Sequence, residues 1–175
     1  MATEPALVAI GANLPQPDGT PAVETCRWAV GRLAAIPGMR LGGVSSWWES
    51  APIPPDPRSP PYVNGVVLME GETTPEALLA ALHAIEEEAG RARPYPNAPR
   101  VLDLDLIDLG GRVRRGPPPI LPHPRAHLRA FVLEPLAEVA PGWMHPVLER
   151  PVARLLEGVR DQAIRRLDAP ARPGV

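Results

Sequence analysis

The chain has 175 residues, 45% of them hydrophobic, and this length and composition predict one domain with one sizeable core. Its formal net charge of -2 excludes a general electrostatic attraction to nucleic acid or anionic lipid, so any anion site must be local. The only cysteine, Cys26, excludes an internal disulfide and fits the reducing cytoplasm.

The N-terminal residues show no basic stretch followed by a long apolar run, and no apolar run is long enough to span a bilayer. This pattern predicts neither secretion nor membrane insertion. All 18 residues of the Lys+Arg class are arginines. Phosphate recognition through a P-loop or protein-kinase lysine is therefore excluded, and it must use arginine, histidine, backbone amides or a metal.

The first half of the chain predicts alternating strands and helices. Short β-rich runs bounded by glycine, proline and polar residues predict strands, and apolar residues at helical spacing predict helices that end at Gly38 and Gly90. The predicted strands are 7–11, 39–49 and 62–70, and the predicted helices are 23–36 and Pro75–Ala89.

Two proline-containing polar stretches, 52–61 and 91–100, predict surface loops. A further strand is predicted at 101–109, because apolar and acidic residues alternate there. The resulting β-α-β-β-α-β order is the ferredoxin-like arrangement, an α+β fold whose antiparallel sheet carries both helices on one face. C-terminal helices are expected within 123–140 and at 151–167, and residues 168–175 are expected to form a flexible tail.

Asp103 and Asp105 are the strongest candidates for chemistry. Residues two apart on a strand share a face, so both carboxylates are expected to point the same way. Leu102, Leu104 and Leu106 would fill the other face. Hard divalent cations prefer oxygen ligands, so the pair favours magnesium. The alternative is the solvated polar face of an amphipathic strand.

Arg91, Arg93 and Arg100 stand in the loop just before this strand. Guanidinium groups bind phosphoryl oxygens and offset the charge that develops during phosphoryl transfer. Arginines beside a metal site therefore favour a polyphosphate such as a nucleotide, and the alternative is an ordinary solvated loop.

The stretch Asn-Ala-Pro-Arg-Val-Leu-Asp-Leu-Asp-Leu-Ile at 97–107 resembles the signature of the hydroxymethyl-dihydropterin pyrophosphokinases. Further short motifs agree in order and spacing, so that the resemblance covers residues 6–160 of one pyrophosphokinase domain at 1–175. These motifs are Ile10-Gly11-Ala12-Asn13-Leu14, Ser45-Ser46, Tyr62-Val63-Asn64, Leu121-Pro122-His123 and Arg129-Ala130-Phe131.

The resemblance implies an enzyme of folate biosynthesis that transfers pyrophosphate from ATP to 6-hydroxymethyl-7,8-dihydropterin and releases AMP. It implies that Asp103 and Asp105 bind two Mg²⁺ ions and that Tyr62 and Phe131 stack on the pterin. The residues implied at the edge of the pterin ring are Ser50, Asn64 and the backbone near Ile53.

The resemblance also implies a set of nucleotide contacts, two of which belong to a loop that closes over the substrates. The implied ATP-binding residues are Glu86, Arg91, Arg93, Arg100, His123 and Arg129, and the implied catalytic residues are Arg91, Arg100, Asp103 and Asp105. For Glu86, the alternative is a structural ion pair with Arg91 or Arg100. Some family members carry an arginine just before the histidine motif, where this chain has three prolines. Arg112, Arg114 or Arg115 is expected to replace it.

We expect a cytoplasmic monomer that acts on small molecules without nucleic acid or membrane partners, and other folate-pathway enzymes are its candidate protein contacts. Two other functions remain alternatives. Palm-type nucleotidyl transferases or cyclases also place paired aspartates on a ferredoxin-like sheet. A non-catalytic RNA-binding module would need exposed aromatic and basic residues on central strands, where this chain presents two acids.

Overall fold

This computed structural model describes residues 4–13, 15–16, 18–51, 57–58, 60–90 and 101–167. Within them, the chain forms an antiparallel sheet flanked by helices. The strands are β1 (Glu4–Ala12), β2 (Met39–Val44), β3 (Trp48–Ser50), β4 (Tyr62–Gly71), β5 (Asp103–Leu109) and β6 (Ile164–Arg166). The helices are α1 (Ala22–Ala34), α2 (Pro75–Ala89), α3 (Ala130–Val139) and α4 (Val152–Glu157), with a 3-10 turn at Ala126–Leu128.

The sheet has the order β5-β1-β4-β3-β6, and β2 pairs with β4 beside β3. Every one of these pairings is antiparallel. The predicted ferredoxin-like α+β fold is therefore confirmed. Of the predicted loops and tail, residues 91–100 and 168–175 and most of 52–61 lie outside the described residues.

The predicted strand 39–49 is wrong as a single element, because the structure divides it into β2 and β3. At the break, the Ser45 hydroxyl accepts the backbone N–H of Val66 at 2.9 Å, and the Ser45 N–H donates to the Val66 carbonyl at 3.0 Å. The Ser45 side chain thus replaces the main-chain carbonyl that would accept the Val66 N–H in a continuous strand, because serine side chains compete with the backbone for its hydrogen bonds.

One face of the sheet packs against α1 and α2, as predicted. Alternate residues of β1 and β4 form this first core together with Cys26 and Leu33 of α1 and Leu78 of α2. Helix α2 begins after Thr74, whose side chain accepts the N–H of Ala77 at 3.1 Å, and it ends at Gly90. These local capping signals explain why its bounds were predicted correctly.

The other face of the sheet packs against α3 and α4 and forms a second core. Leu7 and Val66 of the sheet contribute to it, together with Leu133 of α3 and Leu155 of α4. Among the described residues, no helix combines the length and the hydropathy needed to cross a membrane.

The predicted helix 151–167 is also wrong beyond its first turns. Helix α4 ends at Glu157 with Gly158 at its C-cap, and the chain then forms β6, in which Ile164 pairs with Ser50 of β3. Glycine disfavours helix continuation, and β3 offers backbone donors and acceptors that a strand can satisfy. Pairing between residues distant in sequence therefore prevails over the local helical pattern.

Candidate active site

A cavity of about 330 Å³ lies on the second face of the sheet, beside the N-terminus of α3. Seven of the residues predicted from the sequence line it, and they come from four elements and the residue preceding α3. These seven are Ser50, Tyr62, Asn64, Asp103, Asp105, Arg129 and Phe131. The fold thus brings together residues that are up to 81 positions apart in the chain, from Ser50 to Phe131.

The floor of the cavity is formed by small residues of β1. Asp103 pairs with Gly11 and Asp105 pairs with Ala9 across the β1–β5 ladder, and Gly11 pairs on its other side with Asn64. Neighbouring strands lie about 4.8 Å apart, so the backbones of Asp103 and Asn64 are separated by about 10 Å. Asp103 and Asn64 therefore stand on opposite sides of this floor, with Gly11 between them.

The acidic pair has the predicted orientation. Asp103 is half-buried and Asp105 is exposed, whereas Leu104 and Leu106 are buried in the first core on the opposite face. Among the described residues, no group of three or more histidine, cysteine or acidic side chains is placed to hold a metal. A magnesium ion at the pair would therefore complete its shell with water and substrate oxygens, as this ion usually does.

Glu86 lies behind the acidic pair on α2. Its carboxylate accepts the backbone N–H of Leu104, the residue between the two aspartates, at 2.9 Å. Glu86 is not one of the described residues that line the cavity. Its role as an ATP contact stays a prediction, and the observed hydrogen bond supports the edge strand that carries the acids.

The polar edge of the cavity is formed by Asn64 and Ser50. The Asn64 side-chain amide donates to the Ser50 hydroxyl at 2.9 Å and lies 3.4 Å from the Tyr62 carbonyl. Because the Ser50 oxygen accepts this bond, its own O–H can donate to a ligand, and the Asn64 carbonyl oxygen can accept. The site therefore offers both kinds of partner to the rim of a heterocycle.

Two aromatic rings stand at the cavity, Tyr62 at the start of β4 and Phe131 in the first turn of α3. Both are half-buried, which leaves ring surface available to a ligand. The Arg129 guanidinium carbon lies 5.4 Å from the centroid of the Phe131 ring, within the range of a cation–π interaction. This contact joins a predicted nucleotide residue to a predicted pterin residue.

His123 is held next to the acidic strand. Its backbone N–H donates to the Ile107 carbonyl at 2.9 Å, and its Nδ1 accepts the N–H of Arg125 at 3.1 Å. Burial lowers the pKa of His123, and although Asp105 raises this pKa, Arg129 and Arg125 lower it further. The neutral ring accepts through Nδ1 and carries its proton on Nε2, where it can donate to an anion.

A β-bulge in β5 makes this placement of His123 possible. Leu7 pairs with Asp108 but the next residue, Val8, pairs with Leu106, so Ile107 is an additional residue in β5. Such bulges bend a strand and redirect its groups. Asp108, beyond the bulge, is buried and accepts the Trp143 indole N–H at 3.1 Å.

Several predictions fall outside the described residues, namely those for Ile53, Arg91, Arg93 and Arg100. Of the candidate replacement arginines, Arg112 forms an ion pair with Glu4, and Arg114 forms one with Glu76 and donates to two proline carbonyls. Arg115 lines a second groove, of about 240 Å³, together with His123.

Sequence reasoning missed Glu138, near the end of α3. Its carboxylate accepts the Trp48 indole N–H at 2.6 Å, the Ser46 hydroxyl at 2.8 Å and the Ser46 N–H at 3.2 Å. These bonds tie the segment that leads into β3 to the helix that carries Phe131. No local signal reveals them, because the partners are about 90 positions apart.

Two adjacent tryptophans, Trp47 just before β3 and Trp48 at its start, do not line the cavity. Trp47 packs against the first core, whereas Trp48 bonds to Glu138.

Comparison with known proteins gives consistent matches. A family model described as 7,8-dihydro-6-hydroxymethylpterin-pyrophosphokinase (HPPK) matches residues 7–141. A 2-amino-4-hydroxy-6-hydroxymethyldihydropteridine pyrophosphokinase of Synechocystis is 36% identical over 170 residues, which cover 97% of this chain and 82% of the relative. A protein of the same name from Pseudomonas aeruginosa is 40% identical over 134 residues, which cover 77% of this chain and 79% of the relative.

Two solved structures of Plasmodium falciparum HPPK-DHPS share the fold at 12% sequence identity. A substituted form with pterin and p-hydrobenzoate has a TM-score of 0.68, and the match covers 95% of this chain and 48% of that chain. The wild type has a TM-score of 0.64, and the match covers 89% of this chain and 44% of that chain. The chain thus spans about half the length of these structures or less.

Proposed function

The chain belongs to the 7,8-dihydro-6-hydroxymethylpterin-pyrophosphokinase family, and we propose that it transfers pyrophosphate from ATP to 6-hydroxymethyl-7,8-dihydropterin in folate biosynthesis. The observation that supports this most directly is the cavity that joins Asp103 and Asp105 to Tyr62, Asn64 and Phe131. A polyphosphate site and a slot for a flat heterocycle are adjacent in it. The products would be AMP and the pterin diphosphate.

Asp103 and Asp105 fit magnesium, because their two carboxylates lie on one face of the strand and both line the same cavity. We propose that they hold two ions, which would screen the triphosphate, orient it and acidify the pterin hydroxyl. Strand β5 presents both carboxylates on one side of the cavity, and the backbone of Asp103 lies two strands, or about 10 Å, from that of Asn64.

The pterin would lie between Tyr62 and Phe131 with its edge on Ser50, Asn64 and the backbone near Ile53. Aromatic faces bind a flat ring without fixing its rotation, whereas the donor and acceptor at the rim fix it. The hydroxymethyl group would then point along the floor of Ala9 and Gly11 toward the acidic pair. In this orientation the attacking oxygen would lie near the β-phosphorus of ATP.

The nucleotide would be held by positive and hydrogen-bonding groups around the acidic end. Arg129 lines the cavity, and His123 lies close enough to Asp105 for its pKa to respond to that carboxylate. Arg91, Arg93, Arg100 and Glu86 are proposed to complete the site, with Arg91 and Arg100 offsetting charge on the leaving group. Guanidinium groups suit this role because they bind phosphoryl oxygens in pairs.

We also propose that residues 1–175 act as one domain, as a monomer in the cytoplasm, without nucleic acid or membrane partners. The chain carries a net charge of -2, which gives no general electrostatic attraction to nucleic acid or to anionic lipid. Other folate-pathway enzymes are the proposed protein contacts, since the solved HPPK-DHPS chains contain a second named part.

The deciding experiment incubates the protein with ATP, magnesium and 6-hydroxymethyl-7,8-dihydropterin and separates the nucleotides. AMP formation that requires the pterin supports the proposal. Release of pyrophosphate instead would indicate a nucleotidyl transferase or cyclase. No turnover, together with RNA binding that survives Asp103→Ala and Asp105→Ala, would indicate an RNA-binding module.

A further inference from the structure

The side-chain amide of Gln162 bonds to the chain on both sides of Arg129. Its Oε1 accepts the N–H of Ala130 at 2.9 Å, and its Nε2 donates to the Leu128 carbonyl at 2.8 Å. One planar amide thus pairs with two peptide groups, as a neighbouring strand residue would. The backbone of Arg129 is fixed between these two bonds.

Arg129 occupies a position that needs such support. It has an extended backbone, with φ -126° and ψ 113°, between the 3-10 turn and α3, and its own side chain does not cap the helix. The first N–H groups of a helix have no partner within the helix. Gln162 supplies the partner for Ala130 from a segment 32 residues further along the chain.

The side chain of Arg129 depends on this backbone position. It lines the cavity, and its guanidinium lies over the Phe131 ring. A rotation of the peptide groups at residue 129 would therefore displace the arginine and the aromatic ring together, since Phe131 follows within the first turn of α3.

The segment that follows Gln162 is attached to the opposite wall of the cavity. The Gln162 backbone N–H donates to the Val159 carbonyl at 3.1 Å, and two residues later Ile164 pairs with Ser50 of β3. One short segment, 162–166, therefore bonds to the wall that carries Ser50 and to the wall that carries Arg129. The family model matches residues 7–141, so this segment lies beyond it.

We infer that Gln162 is a positioning residue, which holds Arg129 in the orientation that binds the triphosphate of ATP. The inference rests on the proposed function of the site. Gln162 is not among the described residues that line the cavity, and it acts through the peptide groups around Arg129. Segment 162–166 is accordingly part of the scaffold of the active site.

The test compares Gln162→Met with the wild type, because methionine keeps the length and packing of glutamine and loses both hydrogen bonds. We expect the Kd for MgATP, measured by calorimetry, and the KM for ATP to rise about threefold to tenfold, as expected for the loss of one or two hydrogen bonds. The KM for the pterin should change less. Asp161→Ala, an exposed neighbour in the same turn, is the matched control and should leave both values unchanged.

A double-mutant comparison separates positioning from general stability. In an Arg129→Met background, Gln162→Met should cause no further loss of MgATP affinity, because the group through which it acts is absent. Should Gln162→Met fail to fold, Gln162→Glu serves instead, since it keeps the acceptor for Ala130 and loses the donor to Leu128.

Unchanged MgATP affinity in a folded, active Gln162 variant would overturn this inference and leave the proposed function standing. The same would follow if Gln162→Met lowered MgATP affinity in the Arg129→Met background by the same factor as in the wild type. A wild-type protein that forms no AMP would overturn the proposed function instead. The two failures are thus distinguishable.

Discussion

The indole ring of Trp47 lies so close to Gly65 of β4 that a Cβ atom at position 65 would stand 2.5 Å from its Cζ3 atom. Trp47 leads into β3, and Gly65 follows Asn64 in the strand that forms the polar edge of the cavity. The absence of a side chain at residue 65 therefore lets the ring cover the sheet directly behind the site.

Gly65→Ala is expected to destabilise the protein by about 1–3 kcal/mol, the usual cost of overpacking a well-packed site. Urea unfolding measures this loss. The matched control is Gly31→Ala in α1, where a Cβ atom would meet no atom within 4 Å. This change should raise the free energy of unfolding by about 0.5–1 kcal/mol, because alanine has a higher helix propensity than glycine. Equal effects of the two changes would contradict the close contact with Trp47.

Asp103→Asn and Asp105→Asn should each lower kcat by more than about a hundredfold, because metal binding contributes several kcal/mol to transition-state stabilisation. Circular dichroism should remain that of the wild type. Asp18→Asn, in an exposed turn, is the control and should keep full activity. Turnover at the wild-type rate in either cavity variant would refute the metal assignment.

Tyr62→Ala should weaken binding of the pterin about tenfold, because the ring loses a stacking partner and buried area. The affinity for MgATP should change little, because Tyr62 is proposed to contact the pterin and not the nucleotide. Calorimetric titration of each ligand measures the difference. Tyr62→Phe keeps the ring face and should bind the pterin nearly as the wild type does, so that an equal loss in both variants would contradict stacking.

The stability of the protein should depend on the protonation of His145. This ring is buried, and its Nδ1 accepts the N–H groups of Val147 at 3.2 Å and Leu148 at 3.1 Å. Burial, with a smaller effect of His127, lowers the pKa of His145 below its ordinary value. The unfolded chain therefore takes up the proton first as the pH falls.

The sign of the pH effect follows from this difference. The stabilising contribution of the neutral ring is fully present above the unfolded pKa of about 6.5 and is lost as the pH falls from there through the folded pKa. Urea unfolding between about pH 5 and about pH 8 should show a steeper acidic loss in the wild type than in His145→Asn. His123 titrates in the same direction in both proteins, so the difference between them isolates His145.

Glu138→Ala should lower the free energy of unfolding by about 1–2 kcal/mol, because the carboxylate accepts three hydrogen bonds from Ser46 and Trp48. Glu138→Gln should have an intermediate effect, since one amide oxygen replaces two carboxylate oxygens. Glu157→Ala, an exposed acid of α4, is the control. A loss no larger than that of the control would show that the tie between α3 and β3 is weak.

The sequence alone predicted the parts of the site that depend on local pattern. Alternation in 101–109 placed Asp103 and Asp105 on one face, and Thr74, Pro75 and Gly90 fixed the ends of α2. Both signals act within a few residues. They are sufficient because a strand face and a helix cap are determined by the nearest neighbours.

The ties across the cavity could not be predicted from the sequence. Glu138 reaches residues about 90 positions earlier, and the pairing of Ile164 with Ser50 overrides a helical pattern that continues past Gly158. Such contacts depend on which backbone groups the completed sheet leaves without partners. The register that places Gly11 between Asp103 and Asn64 likewise depends on the assembled strands.

The short last strand has a consequence for the behaviour of the protein in concentrated solution. A strand whose amides and carbonyls are bare can recruit an extended segment of another molecule and start aggregation. Strand β6 covers β3 on that side, and its own exposed residues include two arginines, Arg165 and Arg166. Arg165 pairs with Glu49 of β3. Charged side chains along an edge disfavour pairing with another chain, so the segment that braces the cavity also disfavours self-association.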